Sequence, residues 1–421
     1  MRYFFNKGIL CPFVNGKNDI KMTKYYHKIL KSCTRAMAVL LLLMVCSSAY
    51  GFDLSHYADT SLLATGKWVK VAVNESGIYQ ITASDASKWG LGDLSRVRVF
   101  GYGGAPMNDT LRSTIPDDLP QVPVLRTGDR ILFYAQGPLT WYWSEAYQVY
   151  KQRQHPYATQ GYYFITDDSR FQDLTPAQSS TSPQGAVVNT FLEHMLHEQE
   201  LISPGETGRV LLGEDFTSSN SQSFKFTLDG LVDGSTVQVL TRFATKTLNT
   251  GSSVSFKYNG NNIAGTHTIP AVSKEDPSHY HYNALTTMKE FELNGTKELT
   301  YTINYTPGGT VTLARLDFIT INYQRALDLS GKSSMLFGLR SIEPSQYEIS
   351  GVSSNTHVWD LAKKESPVEM NLVLEGNKGR FSLNNNMRRD LIAFNENGTF
   401  PSPSLVGTIE NQSIHGSPIP T

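Results

Sequence analysis

The sequence predicts a mainly all-β fold in which several β domains follow one another, one of them a jelly-roll-like β-sandwich. Short runs that alternate apolar and polar residues recur along the chain, and Gly, Asn, Asp and Pro separate them. The chain also contains 5 Trp, 21 Tyr and 20 Phe, residues that suit a half-buried pleated surface. No strong helical stripe interrupts this pattern after residue 52.

The first 51 residues have the layout of a secretory signal peptide. Four basic residues between positions 24 and 35 precede an apolar run over 36–46, and Ala49 and Gly51 fit the small positions before a cleavage site. The run is shorter than the roughly 20 residues that cross a bilayer. We therefore expect cleavage after Gly51, translation from Met22, and an exported chain in the periplasm or at the outer membrane and cell surface, without a membrane-spanning segment.

Cysteine and charge exclude several classes of function. The three cysteines, Cys11, Cys33 and Cys46, all lie in the leader, so the body has no disulfide framework, cysteine metal ligand or cysteine nucleophile. Lipid attachment at Cys46 is an alternative that the bulky Val45 disfavours. Residues 1–51 hold eight Lys/Arg and one Asp, so residues 52–421 carry a net charge of −8. An acidic body argues against nucleic-acid binding.

The body divides into segments with different strand spacing. Residues 52–200 are predicted to be an amino-terminal β-rich domain, with strands at 69–73, 96–100, 130–134 and 161–165 and a short helix at 85–89. Residues 205–326 are the predicted sandwich, with strands at 223–228, 236–243, 252–258, 288–293, 298–305 and 314–323. Asn259-Gly260 is typical of a tight hairpin turn. A small β domain follows at 332–407, with strands at 336–339, 358–361, 369–374, 380–383 and 390–394, and residues 408–421 begin a further domain.

Two histidine pairs are weak candidates for metal binding. His194 and His197 would share one face of a helix, but a zinc site needs further ligands, and Met195 stands where H-E-x-x-H has its glutamate. His279 and His281 would share one side of a strand. Solvated or interface pairs are the favoured interpretation of both.

The glycine cluster at 101–104 follows a strand, as a dinucleotide loop does. Pro106 follows where that loop requires a helix, so a turn is favoured over a phosphate site. No cofactor is predicted.

Trp141 and Trp143, with Tyr147 and Tyr150, form an aromatic cluster with two interpretations. It is either a platform for sugar rings or a packed edge between the first two domains, and the packed edge is favoured. Two carboxylate pairs, 117–118 and 167–168, lie in probable turns. A glycosidase would need such groups to face each other across a cleft, so a β-rich glycosidase is a third hypothesis.

An ordered series of segments resembles a known family. The segments are 66–73 (GKWVKVAV), 76–81 (SGIYQI), 97–104 (VRVFGYGG), 128–138 (GDRILFYAQGP) with Trp141, 155–165, 198–216, 316–323 (LDFITINY), 357–360 (HVWD), 391–394 (LIAF) and 411–415 (NQSIH). Together they resemble the amino-terminal part of the type IX secretion system sortases, which are gingipain-like cysteine peptidases of family C25.

The resemblance implies β-rich domains followed by a caspase-like α/β peptidase domain with a Cys/His dyad. Such an enzyme removes carboxy-terminal sorting signals from cargo and attaches the cargo to surface polysaccharide. Because the body contains no cysteine, and His357 and His415 lie outside the catalytic domain, we expect this chain to lack that domain and to be inactive alone. The implied partners are type IX secretion components, cargo with sorting signals, and surface polysaccharide. The alternative is a free-standing β-sandwich that binds glycans or proteins at the cell surface.

Overall fold

The structure, a computed structural model, describes residues 58–107, 117–206, 208, 210–273, 281–340, 345–383 and 387–417. Almost all of these residues belong to one compact unit, Thr60–Thr421. The predicted cleavage residues Ala49 and Gly51, the three cysteines and His279 lie outside the described residues.

The described residues form 27 strands, one short α-helix and three 3-10 turns. The first strands are β1 (Trp68–Val73), β2 (Gly77–Thr82), β3 (Arg98–Gly103), β4 (Gln121–Val122), β5 (Leu125–Thr127), β6 (Arg130–Ala135), β7 (Leu139–Ser144), β8 (Val149–Gln154), β9 (Gly161–Thr166), β10 (Ala177–Gln178), β11 (Ala186–Val188) and β12 (Thr190–Glu198). The helix α1 spans Ala83–Lys88, and the 3-10 turns span Leu62–Ala64, Leu94–Arg96 and Pro204–Glu206.

The next strands are β13 (Ser221–Thr227), β14 (Thr236–Leu248), β15 (Ser252–Tyr258), β16 (Asn261–Ile269), β17 (Asn283–Glu292), β18 (Glu298–Thr306) and β19 (Thr310–Ala326). The last are β20 (Ser334–Arg340), β21 (Ser345–Ser350), β22 (Thr356–Asp360), β23 (Val368–Glu369), β24 (Val373–Glu375), β25 (Lys378–Ser382), β26 (Arg388–Asn395) and β27 (Ser404–Ile409). The prediction of a mainly all-β chain is confirmed.

Two sheets pack together in the first region. One has the strand order β27-β1-β9-β3-β4 and the other the order β2-β6-β5. Alternate apolar residues of both sheets, such as Val71, Val99 and Phe133, are buried in one cluster between them. The helix α1 begins with a capping box, because Thr82 and Asp85 each bond the other's backbone amide.

The sandwich consists of two four-stranded sheets, β12-β19-β14-β17 and β13-β18-β15-β16. Its core is a single buried cluster that includes Phe243, Phe256, Tyr301 and Leu316. Asn259 and Gly260 connect β15 and β16 with φ angles of +46° and +83°. Asn and Gly tolerate this left-handed conformation, and the predicted hairpin turn is therefore present.

The third region also pairs two sheets, β10-β23-β22-β26-β20 and β11-β21-β25-β24. Phe337, Ile349 and Phe381 lie in the core between them. The strand predicted at 369–374 was wrong, because β23 and β24 belong to different sheets. Between these strands the chain leaves one sheet at Met370, whose amide donates to Val358 O at 2.8 Å.

Several sheets combine strands that are far apart in the sequence. β27 pairs with β1, and the short strands β10 and β11 pair in parallel with β23 and β21. β12 lies at the edge of a sandwich sheet, although its residues fall in the predicted first segment. The domain boundaries stay a prediction, and the observed sheets cross them.

The first and third regions share a buried cluster. Ile78 and Tyr134, on the first region's sheet β2-β6-β5, pack with Trp359 and Phe394 of the third region's sheet. The hairpin of β7 and β8 lies beside this contact and also touches β12 and β19 of the sandwich. We call the place where the hairpin meets β12, β20 and β26 the three-way junction. No helix among the described residues is long and apolar enough to cross a membrane.

Candidate binding pocket at the three-way junction

A pocket of about 370 Å³ opens at the three-way junction. Its walls come from the end of β6 and the start of β7, from β12, and from β20 and β26 of the third region. The lining side chains that carry chemistry are Glu75, Tyr134, Gln136, Trp141, His194, Lys364 and Asp390. The volume lies at the small end of the roughly 300–1,000 Å³ that is usual for ligand sites.

An ion pair forms one wall of the pocket. Lys364 Nζ lies 2.8 Å from Asp390 Oδ2, and both side chains are half-buried. Burial acts to lower the pKa of Lys364, but the charges of Tyr134 and Asp390 outweigh it, and the net pKa is raised. Lys364 therefore keeps its positive charge, and the carboxylate balances it.

His194 forms a neutral wall. Its side chain on β12 is 9% exposed, and within the described part of the chain its buried Nδ1 has no hydrogen-bond partner. Burial lowers the pKa of this histidine to about 4, so the imidazole is uncharged at neutral pH. The ring centroids of Trp141 and Tyr150 lie 4.1 Å and 4.9 Å from that of His194.

The two tryptophans of the predicted aromatic cluster lie on the same face of β7. The Trp143 ring packs on Tyr150 with a centroid separation of 5.4 Å, and the Arg388 guanidinium lies 3.4 Å from its ring centroid. Trp141 packs against His194 and also lines the pocket. Both rings thus have neighbours in the fold, and a role for either in sugar binding stays a prediction.

Buried polar contacts fix the hairpin to the sandwich. Asn322 on β19 accepts a hydrogen bond from the Tyr150 amide at 2.8 Å and donates one to the Tyr150 carbonyl at 3.0 Å. Thr320 Oγ1 donates to Gln152 Oε1 at 2.7 Å. A Cβ at Gly338 on β20 would lie 2.2 Å from Tyr150 Oη, so only glycine fits there. These contacts fix the position of the hairpin of β7 and β8, and therefore of Trp141, which lines the pocket.

The glycine cluster at 101–104 helps to build the pocket floor. Gly103 has a φ angle of +78°, and a Cβ there would lie 2.5 Å from the Gln136 carbonyl oxygen. Gln136 in turn accepts from Tyr134 Oη at 3.2 Å and donates to Ser76 Oγ at 2.8 Å. Residues 101–103 belong to the end of β3 and the turn starts at Gly104, so the favoured turn interpretation holds for the last glycine alone. The cluster permits close backbone packing, and no described helix follows it directly.

A second cavity of about 330 Å³ lies beside the ends of β8 and β12. Glu198, Glu200 and Asp317 line it, and Arg242 forms an ion pair with Asp317. Burial, followed by the charges of Asp317 and Glu200, raises the pKa of Glu198 to about 8. Glu198 is therefore protonated at neutral pH, which reduces repulsion among the carboxylates.

The histidine pair on β12 does not share one face. β12 is a strand, so His194 and His197 point to opposite faces instead of sharing the face of a helix. His197 Nε2 bonds Glu214 Oε1 at 2.6 Å and packs on Phe224. His281 lies just before β17, and its proposed companion His279 lies outside the described residues. No group of three or more ligand side chains suited to a metal occurs in the described ranges.

The adjacent carboxylate pairs have structural partners. Asp118 accepts from the amides of Leu62 and Leu119, and Asp117 Oδ2 lies 3.4 Å from His415 Nδ1. Asp167 Oδ2 accepts from the Gly92 amide at 2.7 Å, and Asp168 pairs with Arg170 at 3.1 Å. Hydrogen bonds and ion pairs with nearby residues therefore account for these four carboxylates.

Comparison with known proteins finds a close structural relative. No family model matches the chain. No curated protein matches it either. The crystal structure of dimeric latent PorU from Porphyromonas gingivalis superposes with a TM-score of 0.78 at 29% identity, over 87% of this chain and 35% of that chain. The chain thus spans about a third of the PorU chain that it matches.

Two other solved structures are far more distant. The insecticidal delta-endotoxin Cry8Ea1 from Bacillus thuringiensis has a TM-score of 0.20 and 11% identity, over 38% of this chain and 27% of its own. The sugar-binding carboxy-terminal domain of EclA has a TM-score of 0.15 and 16% identity, over 30% of this chain and 88% of its own. At such TM-scores neither carries an argument. The fold and the PorU alignment together confirm the predicted resemblance: the chain is similar to the amino-terminal region of PorU.

Proposed function

Taking the likeness to PorU as the premise, we propose that the chain is the exported, non-catalytic amino-terminal region of a type IX secretion system sortase. The observation that carries this proposal is the superposition on PorU over 87% of the chain with 29% identity. The expected signal peptide and its cleavage after Gly51 agree with export. Mass spectrometry of the secreted chain should then find Phe52 at its amino terminus.

The proposed role is to hold a peptidase domain and to present cargo to it. A scaffold of this kind has to be rigid, and the buried contact of Tyr134 with Trp359 and Phe394 ties the first region to the third. The partners would be cargo proteins with carboxy-terminal sorting signals, other type IX components, and the surface polysaccharide that accepts the cargo.

The absence of cysteine after Cys46 explains why the proposed role is non-catalytic. A cysteine peptidase forms its acyl-enzyme through a thiolate that a neighbouring base activates. Rearranging the side chains of the body cannot supply that thiolate. We therefore expect no cleavage of cargo by this chain alone.

An exposed apolar surface near β27 is the proposed contact for the peptidase domain. Leu405 and Val406 on β27 are each 51% exposed, and Ile414 beyond it is 72% exposed. In a PorU-like protein the chain continues after this region, so a following domain could cover these side chains. Burying them would remove apolar surface from water, which favours association.

The test is a cleavage assay in trans. The purified chain is incubated with a cargo protein that carries its sorting signal, with and without a PorU-type peptidase domain, and mass spectrometry follows the shortened product. We expect no product from the chain alone and faster cleavage when both parts are present. Product from the chain alone that resists thiol alkylation would contradict the proposal.

Two matched variants sharpen this assay. Leu405→Asp places a charge on the proposed contact surface and should abolish the stimulation of cleavage. Val373→Asp places the same charge on β24, where Val373 is 49% exposed, and should leave the stimulation unchanged. Equal effects of both variants would argue against this surface as the contact.

A further inference from the structure

We propose that the pocket at the three-way junction binds a polyhydroxylated ligand without negative charge, about the size of one sugar ring. This inference adds a binding site in the amino-terminal region itself, and it does not depend on the proposed sorting role. It stands on the pocket's volume, its aromatic wall and the balance of its polar groups.

The aromatic wall suits the apolar face of a sugar ring. Trp141 lines the pocket, and His194 backs it at a centroid separation of 4.1 Å, which limits rotation of the indole. An aromatic plane offers a large apolar contact area at low conformational cost. The axial C–H groups of a pyranose form a complementary apolar face.

The polar wall suits hydroxyl groups. Lys364 offers donors and Asp390 offers acceptors, 2.8 Å apart, and a hydroxyl group can both donate and accept. Glu75 also lines the pocket, so the lining holds two carboxylates against one amine and disfavours an anion. Gln136 Nε2 is already held by Ser76 Oγ at 2.8 Å, so the amide stands in a fixed orientation at the inner end.

The size of the pocket limits the ligand. About 370 Å³ accommodates a monosaccharide or one unit at the end of a longer glycan, but not several consecutive sugar rings. The mixed lining also argues against a purely apolar ligand. A small hydroxylated ring meets all three constraints.

The experiment titrates the purified full chain with glucose, galactose, mannose and N-acetylglucosamine, one at a time. Saturation-transfer NMR reports contact with the sugar, and tryptophan fluorescence reports the affinity. Glycine serves as a zwitterionic probe of similar polarity. The variants are Trp141→Ala, Trp141→Phe and Asp390→Asn, and the control is Tyr142→Ala, because the neighbouring Tyr142 ring is 46% exposed and does not line the pocket.

We expect at least one sugar to bind and glycine not to bind. Trp141→Ala should weaken binding at least about tenfold, since aromatic anchors dominate small binding sites. Trp141→Phe should weaken binding less, and Tyr142→Ala should leave it unchanged. Absence of saturation transfer to every sugar, stronger binding of glycine, or equal affinity of Trp141→Ala and the wild type would overturn the proposal. If Trp141→Ala does not fold, Asp390→Asn decides, and unchanged affinity there overturns the proposal as well.

Discussion

The sandwich and the three-way junction are built on opposite principles. The sandwich core consists almost entirely of apolar side chains from residues 190–326 and closes within that one stretch of chain. The junction brings together residues from the first hairpin, β12, β20 and β26, and its contacts are largely polar: Asn322 with Tyr150, Lys364 with Asp390, and Arg388 over Trp143. The sandwich thus contributes mostly to stability, while the junction positions the polar side chains that line the pocket.

The difference has a physical cause. Apolar burial is non-directional and largely independent of pH, whereas buried polar groups require matched partners and respond to protonation. We therefore expect mutations in the sandwich core to lower the free energy of unfolding most, and to do so at every pH. Perturbations of the junction should lower it less, and their effect should depend on pH or on individual hydrogen bonds.

The largest effect should come from Phe256→Ala in the sandwich. Phe256 is 1% exposed and stacks on Tyr301 with a centroid separation of 5.6 Å. Removing the ring leaves a cavity and should lower the free energy of unfolding by about 3–5 kcal/mol. Urea unfolding measures the change. Lys225→Ala, at an exposed position on β13, is the control and should change stability by less than about 0.5 kcal/mol.

Acid should destabilise the junction through His194. Its pKa is about 4 in the folded chain and about 6.5 when unfolded, so the unfolded chain takes up a proton that the folded chain does not. Stability should fall as the pH drops from 6.5 to 4, by on the order of 3 kcal/mol. Thermal unfolding of the wild type and of His194→Phe at pH 7 and pH 4 isolates this contribution. A pH dependence identical in both proteins would refute the assignment.

Asn322→Leu should loosen the hairpin by about 2 kcal/mol. The substitution keeps the branched shape of the side chain but leaves the Tyr150 amide and carbonyl, now bonded at 2.8 Å and 3.0 Å, without partners. Hydrogen exchange should show faster exchange of the Tyr150 amide. Thr320→Val removes a single side-chain bond to Gln152 and should cost about half as much. If both variants lower the free energy of unfolding equally, the Asn322 contacts are not the main attachment of the hairpin to the sandwich.

The smallest effect is a stabilisation by Glu198→Gln in the second cavity. Burial and the nearby Asp317 and Glu200 raise the pKa of Glu198 to about 8 in the folded chain, above the value of about 4.5 when unfolded. The wild type therefore loses stability as the pH rises from 4.5 to 8, and the amide does not. We expect a gain of about 1–2 kcal/mol at pH 8, allowing for partial exposure, and none at pH 4. Thermal unfolding of the wild type and of Glu198→Gln at pH 8 and pH 4 measures this difference in stability.

Local pattern sufficed to predict the sandwich. Alternating residues, such as those around Phe224 and Phe256, marked two strands of one sandwich sheet, which pair with opposite edges of β18, and Asn259-Gly260 marked the turn between β15 and β16. Such signals depend on residues that are close together in the sequence, so they can be recognised without knowledge of the tertiary fold.

The junction could not be predicted in the same way. Trp141 and His194 stood out in the sequence, but nothing there indicated that they would meet each other. Lys364 and Asp390 carried no signal, because the pocket arises only where several segments that are distant in the sequence pack together. The histidine pair on β12 also shows the limit of spacing, since a three-residue interval means one face on a helix and two faces on a strand.

The pairing of β27 with β1 has a consequence for the time course of folding. Trp68 pairs with Ile409, so the outer edge of β1 stays open until almost the whole described chain has been made. An open strand edge can pair with another molecule in the meantime. Protection of the first strand against association with other chains thus depends on how soon the last strand arrives.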